Sequence, residues 1–153
     1  MVNKEKLFQV AEVKLSYSTK IKSSDRLKVA SGYEPYDIFK SVWDEGTIEL
    51  IEEFKIILLN RSNRVLGNLN LASGGISSCV IDPKLIFVSA IKSGASAVIL
   101  AHNHPSTNTK PSDQDRTLTR KIKEGGKLLD IEVLDHIIMT SEGYLSFADE
   151  GLM

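Results

Sequence analysis

The sequence predicts a mixed α/β domain, and three observations carry that prediction. Short apolar runs rich in Val and Ile alternate along the chain with segments of helical spacing. Asp-Pro and Pro at the starts of those segments and Gly at their ends punctuate them as helices. The length of 153 residues, with 42% hydrophobic and 25% charged residues, suits one compact unit able to bury a real core.

Each element follows in order. Residues 8–18, "FQVAEVKLSYS", alternate apolar and polar positions through Val10, Val13 and Leu15, which predicts a strand. "TKIKSSDRLKVASGYEP" reads as loop, so residues 1–30 form an N-terminal strand and loop extension ahead of a domain over 31–153. "PYDIFKSVWDEG" opens on Pro35 and closes on Gly46, a short helix. "FKIILLNRSNRVLGNLNLA" has the form of a hairpin around a turn-prone centre. In "SSCVID" the lone Cys79 reads as buried strand rather than as a nucleophile. "DPKLIFVSAIKSG" is a helix from Asp82-Pro83 to Gly94 with Leu85, Ile86, Val88 and Ile91 at helical spacing. "ASAVILAHNH" is an interior strand. "PSDQDRTLTRKIKEGGKLLD" is helical in its first part, and "IEVLDHIIMTSEGYLSFADEG" is a terminal hairpin around Ser141-Glu142-Gly143.

A formal net charge of -1 removes the broad electrostatic argument for nucleic-acid binding, although a local basic patch is compatible with it. A single cysteine excludes an intrachain disulfide. No run approaches the about 18 apolar residues of a membrane span, and the opening residues lack a signal-peptide apolar region. The expected location is the cytoplasm, with no membrane partner.

The chemistry concentrates at the end of the interior strand. Side chains two apart on a strand share a face, so His102 and His104 project together, as two metal ligands would. Neutral imidazoles favour zinc, although iron or manganese can take the same set, and a catalytic zinc usually has three protein ligands with a fourth position open. Asp115, in the first turn of the helix begun at Pro111-Ser112, is the third candidate ligand. A general base is still needed, and Glu52 shares a strand face with Phe54, Ile56 and Leu58, whereas Glu53 faces with Lys55. Ser112 is a candidate donor to a developing oxyanion. Equally, Ser112-Asp113-Gln114-Asp115 resembles a capping box. The two histidines followed by Pro105 also suit a polar turn, and Glu52 also suits a solvated flank. His136, within "VLDHIIM", reads as a hydrogen-bonded core histidine or a support to the ligands.

"HNHPSTNTKPSDQD" fits His-x-His-x7-Ser-x2-Asp and so resembles the metal motif of the JAMM or MPN-plus metalloproteases. Within that superfamily "AVILAHNHPS", "LTRKIKEGGKLLDIEVLDHIIM" and "YLSFADEGLM" resemble the RadC family, named as DNA repair proteins. The resemblance implies a cytidine-deaminase-like JAB/MPN fold, a mixed curved sheet flanked by helices. It implies Zn2+ on His102, His104 and Asp115, Ser112 as oxyanion partner, and Glu52 as base. The implied activity is hydrolysis of a peptide, isopeptide or other amide bond. The alternative is a non-catalytic interaction module in DNA repair or mobile-element biology; a metal-dependent nuclease, favoured only by Asp113 and the basic "RTLTRKIK", ranks last. A peptide or protein is the expected partner, and nucleic acid only an indirect one, because residues 1 to about 30 do not resemble the family's helix-hairpin-helix region. The chain departs from the family pattern at Gly74-Gly75, at Pro83-Lys84-Leu85 and at Thr107, where a glycine is common.

Overall fold

The computed structural model describes residue 14 and residues 16–29, 34–76 and 79–153. Helices α1 (Pro35–Val42), α2 (Pro83–Ser93) and α3 (Asp113–Leu128) are interleaved with strands β1 (Glu53–Leu59), β2 (Val65–Ser73), β3 (Ala97–Asn103), β4 (Glu132–Met139) and β5 (Tyr144–Ser146). The strands form one mixed sheet in the order β2-β1-β3-β4-β5. Only β3 and β4 run parallel, and α3 is the crossover that a parallel pair requires.

β3 lies at the centre and every one of its residues is buried, which explains its unbroken apolar run. Alternation along β1 and β3 sorts two cores. Phe54, Ile56, Leu58, Val98 and Leu100 pack with Ile86 and Ala90 of α2 and Ile122 of α3. Ile57, Leu59, Ala97, Ile99 and Ala101 pack on the other face with Ile38 and Phe39 of α1. The expected mixed α/β sheet flanked by helices is what forms.

The local expectations fare unevenly. Only residues 14 and 16–18 of the strand expected over 8–18 are described, and these are not in a strand; the boundary expected near residue 30 falls among residues 30–33, outside the described residues. The loop before it contains a 3-10 turn, Ser23–Asp25, and a bridge pairing Lys28 with Arg64. The first helix stops at Val42 rather than at Gly46. Trp43 turns to extended backbone, placing its ring in the core, and the Asp44 carboxylate then accepts the Gly46 N–H at 2.8 Å in a separate turn. No strand forms at residues 79–82, where Cys79 packs half-buried beside the sheet core, while residues 77–78 lie outside the described residues.

α2 is capped as its sequence indicates. The Asp82 side chain accepts the Lys84 N–H, Pro83 opens the helix, and Gly94 closes it at a left-handed φ of 70°. Its apolar face is narrower than its spacing suggests, because Ile86 and Ala90 are buried while Leu85, Val88 and Ile91 remain exposed. α3 continues through Gly125 and Gly126 to Leu128 instead of ending in its first part. Gly126 has a packing role there: a Cβ would lie 2.3 Å from the Ile131 carbonyl oxygen, so glycine at this position lets the helix pack directly on the turn into β4. Among the described residues, no helix is long and apolar enough to cross a membrane.

Candidate metal centre

The end of β3 and the start of α3 meet on the face that carries Phe54 and Ile56. His102 pairs with Phe54 across β1, and the two rings stack in parallel at 6.2 Å. His104 follows just beyond the strand. Their Nε2 atoms stand 2.9 Å apart. Asp115 reaches both from the first turn of α3, with Oδ1 3.3 Å from His102 Nε2 and Oδ2 3.5 Å from His104 Nε2. The three residues predicted as ligands are thus brought together, and no fourth His, Cys, Asp or Glu joins them among the described residues.

This donor set fits zinc. Ligand bonds of about 2.0–2.1 Å in tetrahedral geometry hold neighbouring ligand atoms about 3.3 Å apart. The two Nε2 atoms stand 2.9 Å apart, and they lie 3.3 and 3.5 Å from the Oδ1 and Oδ2 atoms of Asp115 respectively, separations close to that value. The His104 ring is also oriented for it, because its Nδ1 donates to the Asn108 carbonyl oxygen at 2.6 Å and leaves Nε2 turned inward. The loop that offers this carbonyl passes through Thr107 at φ 65°, the left-handed conformation for which a glycine is better suited.

Electrostatics follow the same convergence. Burial alone would raise the Asp115 carboxyl, but the adjoining His102 and His104 rings and the Ser112 N–H outweigh it and hold the group far below the usual carboxylate range. For His104, burial works against the charged ring, yet its bonds to Asp115 and Asn108 prevail and raise it. Glu52 is raised chiefly by burial, against the opposing pull of His102 and His104. Its backbone bonds to Gly74 and Gly75, immediately before β1, and continuing the β1–β3 register by two residues sets it opposite His104. Its carboxylate has no hydrogen-bond partner among the described residues. Glu53 faces away, holding Asn70 at 3.1 Å and Lys55 at 3.7 Å.

Ser112 is a cap. Its hydroxyl oxygen accepts the Asp115 N–H at 3.0 Å, and the Asp115 carboxylate accepts the Ser112 N–H at 2.7 Å, a complete capping box. The oxyanion role is not thereby lost, since accepting leaves the hydroxyl hydrogen free to donate. Asp115 is at once cap partner and inward-facing carboxylate.

Sequence reasoning passed over two residues that hold the site together. Asn103, fully buried between the histidines on the opposite face, donates to the Ile48 and Ile51 carbonyls at 2.7 and 2.8 Å and accepts the Glu53 N–H at 2.7 Å. It therefore ties the segment that carries Glu52 to the strand that carries the ligands. Strand alternation was the available signal, for it puts an amide into the apolar layer, where it must find partners. Thr119, one helical turn beyond Asp115, lies against His136. His136 is fully buried, and burial, helped by His102 nearby, lowers its pKa well below the ordinary value. Cys79 is raised by burial and by the Glu52 and Glu53 carboxylates, the opposite of an activated nucleophile. A cavity of about 720 Å³ opens at the far end of the sheet, lined by Asn60, Ala97, Lys127 and Glu132, away from this cluster.

Comparison with known proteins agrees with the fold. The sequence profile of the RadC-like JAB domain matches residues 33–152. A UPF0758 protein of Flavobacterium johnsoniae is 45% identical over 125 residues, which cover 82% of this chain and 53% of that protein. One from Porphyromonas gingivalis is 45% identical over 103 residues, 67% of this chain and 45% of its own length. One from Desulfitobacterium hafniense is 37% identical over 131 residues, 86% and 58% respectively. The chain spans about half the length of the curated relatives it matches. On the extent of that match and the identity to these relatives, the chain belongs to the RadC-like JAB domain family.

Proposed function

We propose that this domain is a zinc-dependent hydrolase of amide bonds, with a peptide or isopeptide as substrate. The observation that carries the proposal is the convergence of His102, His104 and Asp115, whose ligand atoms lie within 4.8 Å of one another, with a partly buried Glu52 beside them that has no hydrogen-bond partner among the described residues. Lone pairs this close repel one another unless a cation or a shared hydrogen lies between them, and a metal ion would serve all three groups at once. A structural zinc site is usually closed by four protein ligands, so three leave a position open to water or substrate.

His102, His104 and Asp115 would hold the metal, which supplies Lewis acidity and lowers the pKa of a bound water to about 7. The remaining work belongs to the chain. Glu52, whose carboxyl burial makes more basic than an exposed one, takes the proton of the attacking water and returns it to the departing amine. Ser112 donates its free hydroxyl hydrogen to the carbonyl oxygen of the substrate as negative charge develops there. Phe54, stacked on His102, keeps one wall of the centre apolar. The rigid cap at Ser112 and Asp115 holds donor and ligand in one turn of helix.

The test is metal content of protein purified without added metal, beside His102→Ala and Asp115→Ala, followed by a panel of peptide and isopeptide substrates with Glu52→Gln as control. About one zinc per chain, lost in both variants, and amide hydrolysis lost in Glu52→Gln are expected. No zinc uptake by the wild type at neutral pH would overturn the reading.

A further inference from the structure

His136 is the one histidine that this chemistry leaves unused, and it is hydrogen-bonded on both sides. Its Nε2 lies 2.8 Å from His102 Nδ1, and its Nδ1 lies 2.6 Å from Thr119 Oγ1. Contacts between two imidazoles leave the direction open, because each ring nitrogen can donate or accept. Thr119 closes that freedom. Its hydroxyl has a single hydrogen, and the Asp115 carbonyl oxygen 2.7 Å away can only accept. The hydrogen is spent there, so Oγ1 turns a lone pair toward His136, which must carry its own hydrogen on Nδ1. Phe54 and Phe147 flank the ring, with centroids 5.6 and 4.8 Å away, an apolar setting for a neutral imidazole. Nε2 of that ring is then the acceptor. The hydrogen between the two rings belongs to His102 Nδ1, and His102 is left with a bare Nε2 aimed at His104 and Asp115.

We propose that Thr119 and His136 are positioning residues of the metal centre, joined in a one-way hydrogen-bond chain that holds His102 in its metal-binding tautomer. The chain runs from His102 through His136 and Thr119 to the Asp115 carbonyl, so it leaves one ligand and ends on the backbone of another. It rests on the metal reading above. Thr119 can serve because it stands four residues after Asp115, on the same face of α3 one turn later. Reversal of the chain would place a hydrogen on His102 Nε2, where it would compete with the metal.

The experiment uses metal-free protein labelled with 15N-histidine, at mildly alkaline pH, as wild type, Thr119→Val and Thr119→Ser. Two-bond 1H–15N correlations read which ring nitrogen of His102 carries hydrogen, thermal unfolding checks the fold, and chelator competition reads zinc affinity. Wild type and Thr119→Ser are expected to show His102 protonated on Nδ1. Thr119→Val is expected to shift part of the population to Nε2 and to weaken zinc binding about tenfold or more. His102 protonated on Nε2 in the wild type would overturn the proposal by itself, whether or not Thr119→Val folds. Zinc bound by a wild type whose tautomer and affinity ignore Thr119→Val would also overturn it while sparing the metal reading. A tautomer that follows Thr119 in a protein that binds no zinc would instead overturn the metal reading and, with it, the assignment of these residues to a metal centre.

Discussion

Ser112→Ala removes the oxygen that accepts the Asp115 N–H at 3.0 Å and leaves the reciprocal bond from the Ser112 N–H in place. Loss of an N-cap side chain costs about 1 kcal/mol, whereas glycine at the same position costs only a few tenths, because an open N-cap can hydrate the freed helix N–H groups. Urea unfolding of metal-free protein should therefore rank wild type slightly above Ser112→Gly and both above Ser112→Ala. In a domain of this length the alanine variant should melt about 2–4 °C lower. Turnover should rank differently. If the hydroxyl also donates to the oxyanion, alanine and glycine lose it equally, and each should reduce kcat by about 10²–10³ on any amide substrate the wild type cleaves. A role limited to capping would instead let turnover follow stability, with glycine close to wild type. Ser112→Ala as stable as wild type, or Ser112→Gly as unstable as Ser112→Ala, would refute the cap geometry itself.

Three more expectations follow from particular atoms. Thr107→Gly should stabilise the protein by about 0.5–1 kcal/mol, the relief of a left-handed β-branched residue less the entropy cost of glycine, read as a higher urea midpoint. Gly126→Ala should destabilise by about 2 kcal/mol despite alanine's better helix propensity, because the new Cβ meets backbone at 2.3 Å; Gly125→Ala, which meets only the Phe87 ring at 3.0 Å, should change stability far less. Equal unfolding midpoints for the two alanine variants would contradict this packing. Cys79 should alkylate with iodoacetamide only as pH rises above the ordinary thiol pKa of about 8.5, since a raised pKa leaves little thiolate below it. Glu52→Gln should move that rate profile to lower pH by removing a nearby negative charge, and an unmoved profile would place Glu52 too far from Cys79.

The motif at the end of β3 was legible because its chemistry depends on local periods. Two-residue alternation alone puts His102 and His104 on one face and separates Glu52 from Glu53, and a first-turn position alone brings Asp115 back toward the strand end. The cap of α2 and the β1–β2 hairpin were legible for the same reason, since side chain and turn lie within a few residues of one another. Ser112 was legible only as a pair of alternatives, because its one hydroxyl can accept in a cap while keeping a hydrogen to donate.

Other features depend on partners far away in sequence. Asn103 bonds to Ile48, Ile51 and Glu53, about fifty residues earlier, and Thr119 meets His136 across the crossover from α3 to β4. The stop of α1 at Trp43 follows from a ring drawn into the core, against a pattern that continues to Gly46. The exposure of Leu85, Val88 and Ile91 follows from the narrow seat that the sheet offers α2. By itself the sequence determined which residues share a face and which turn chemistry joins them, since backbone geometry imposes both within a few bonds. Tertiary structure decided which polar atoms satisfy one another, and so the direction of the hydrogens at His102, because burial leaves each donor and acceptor only the partners that packing brings within 3 Å.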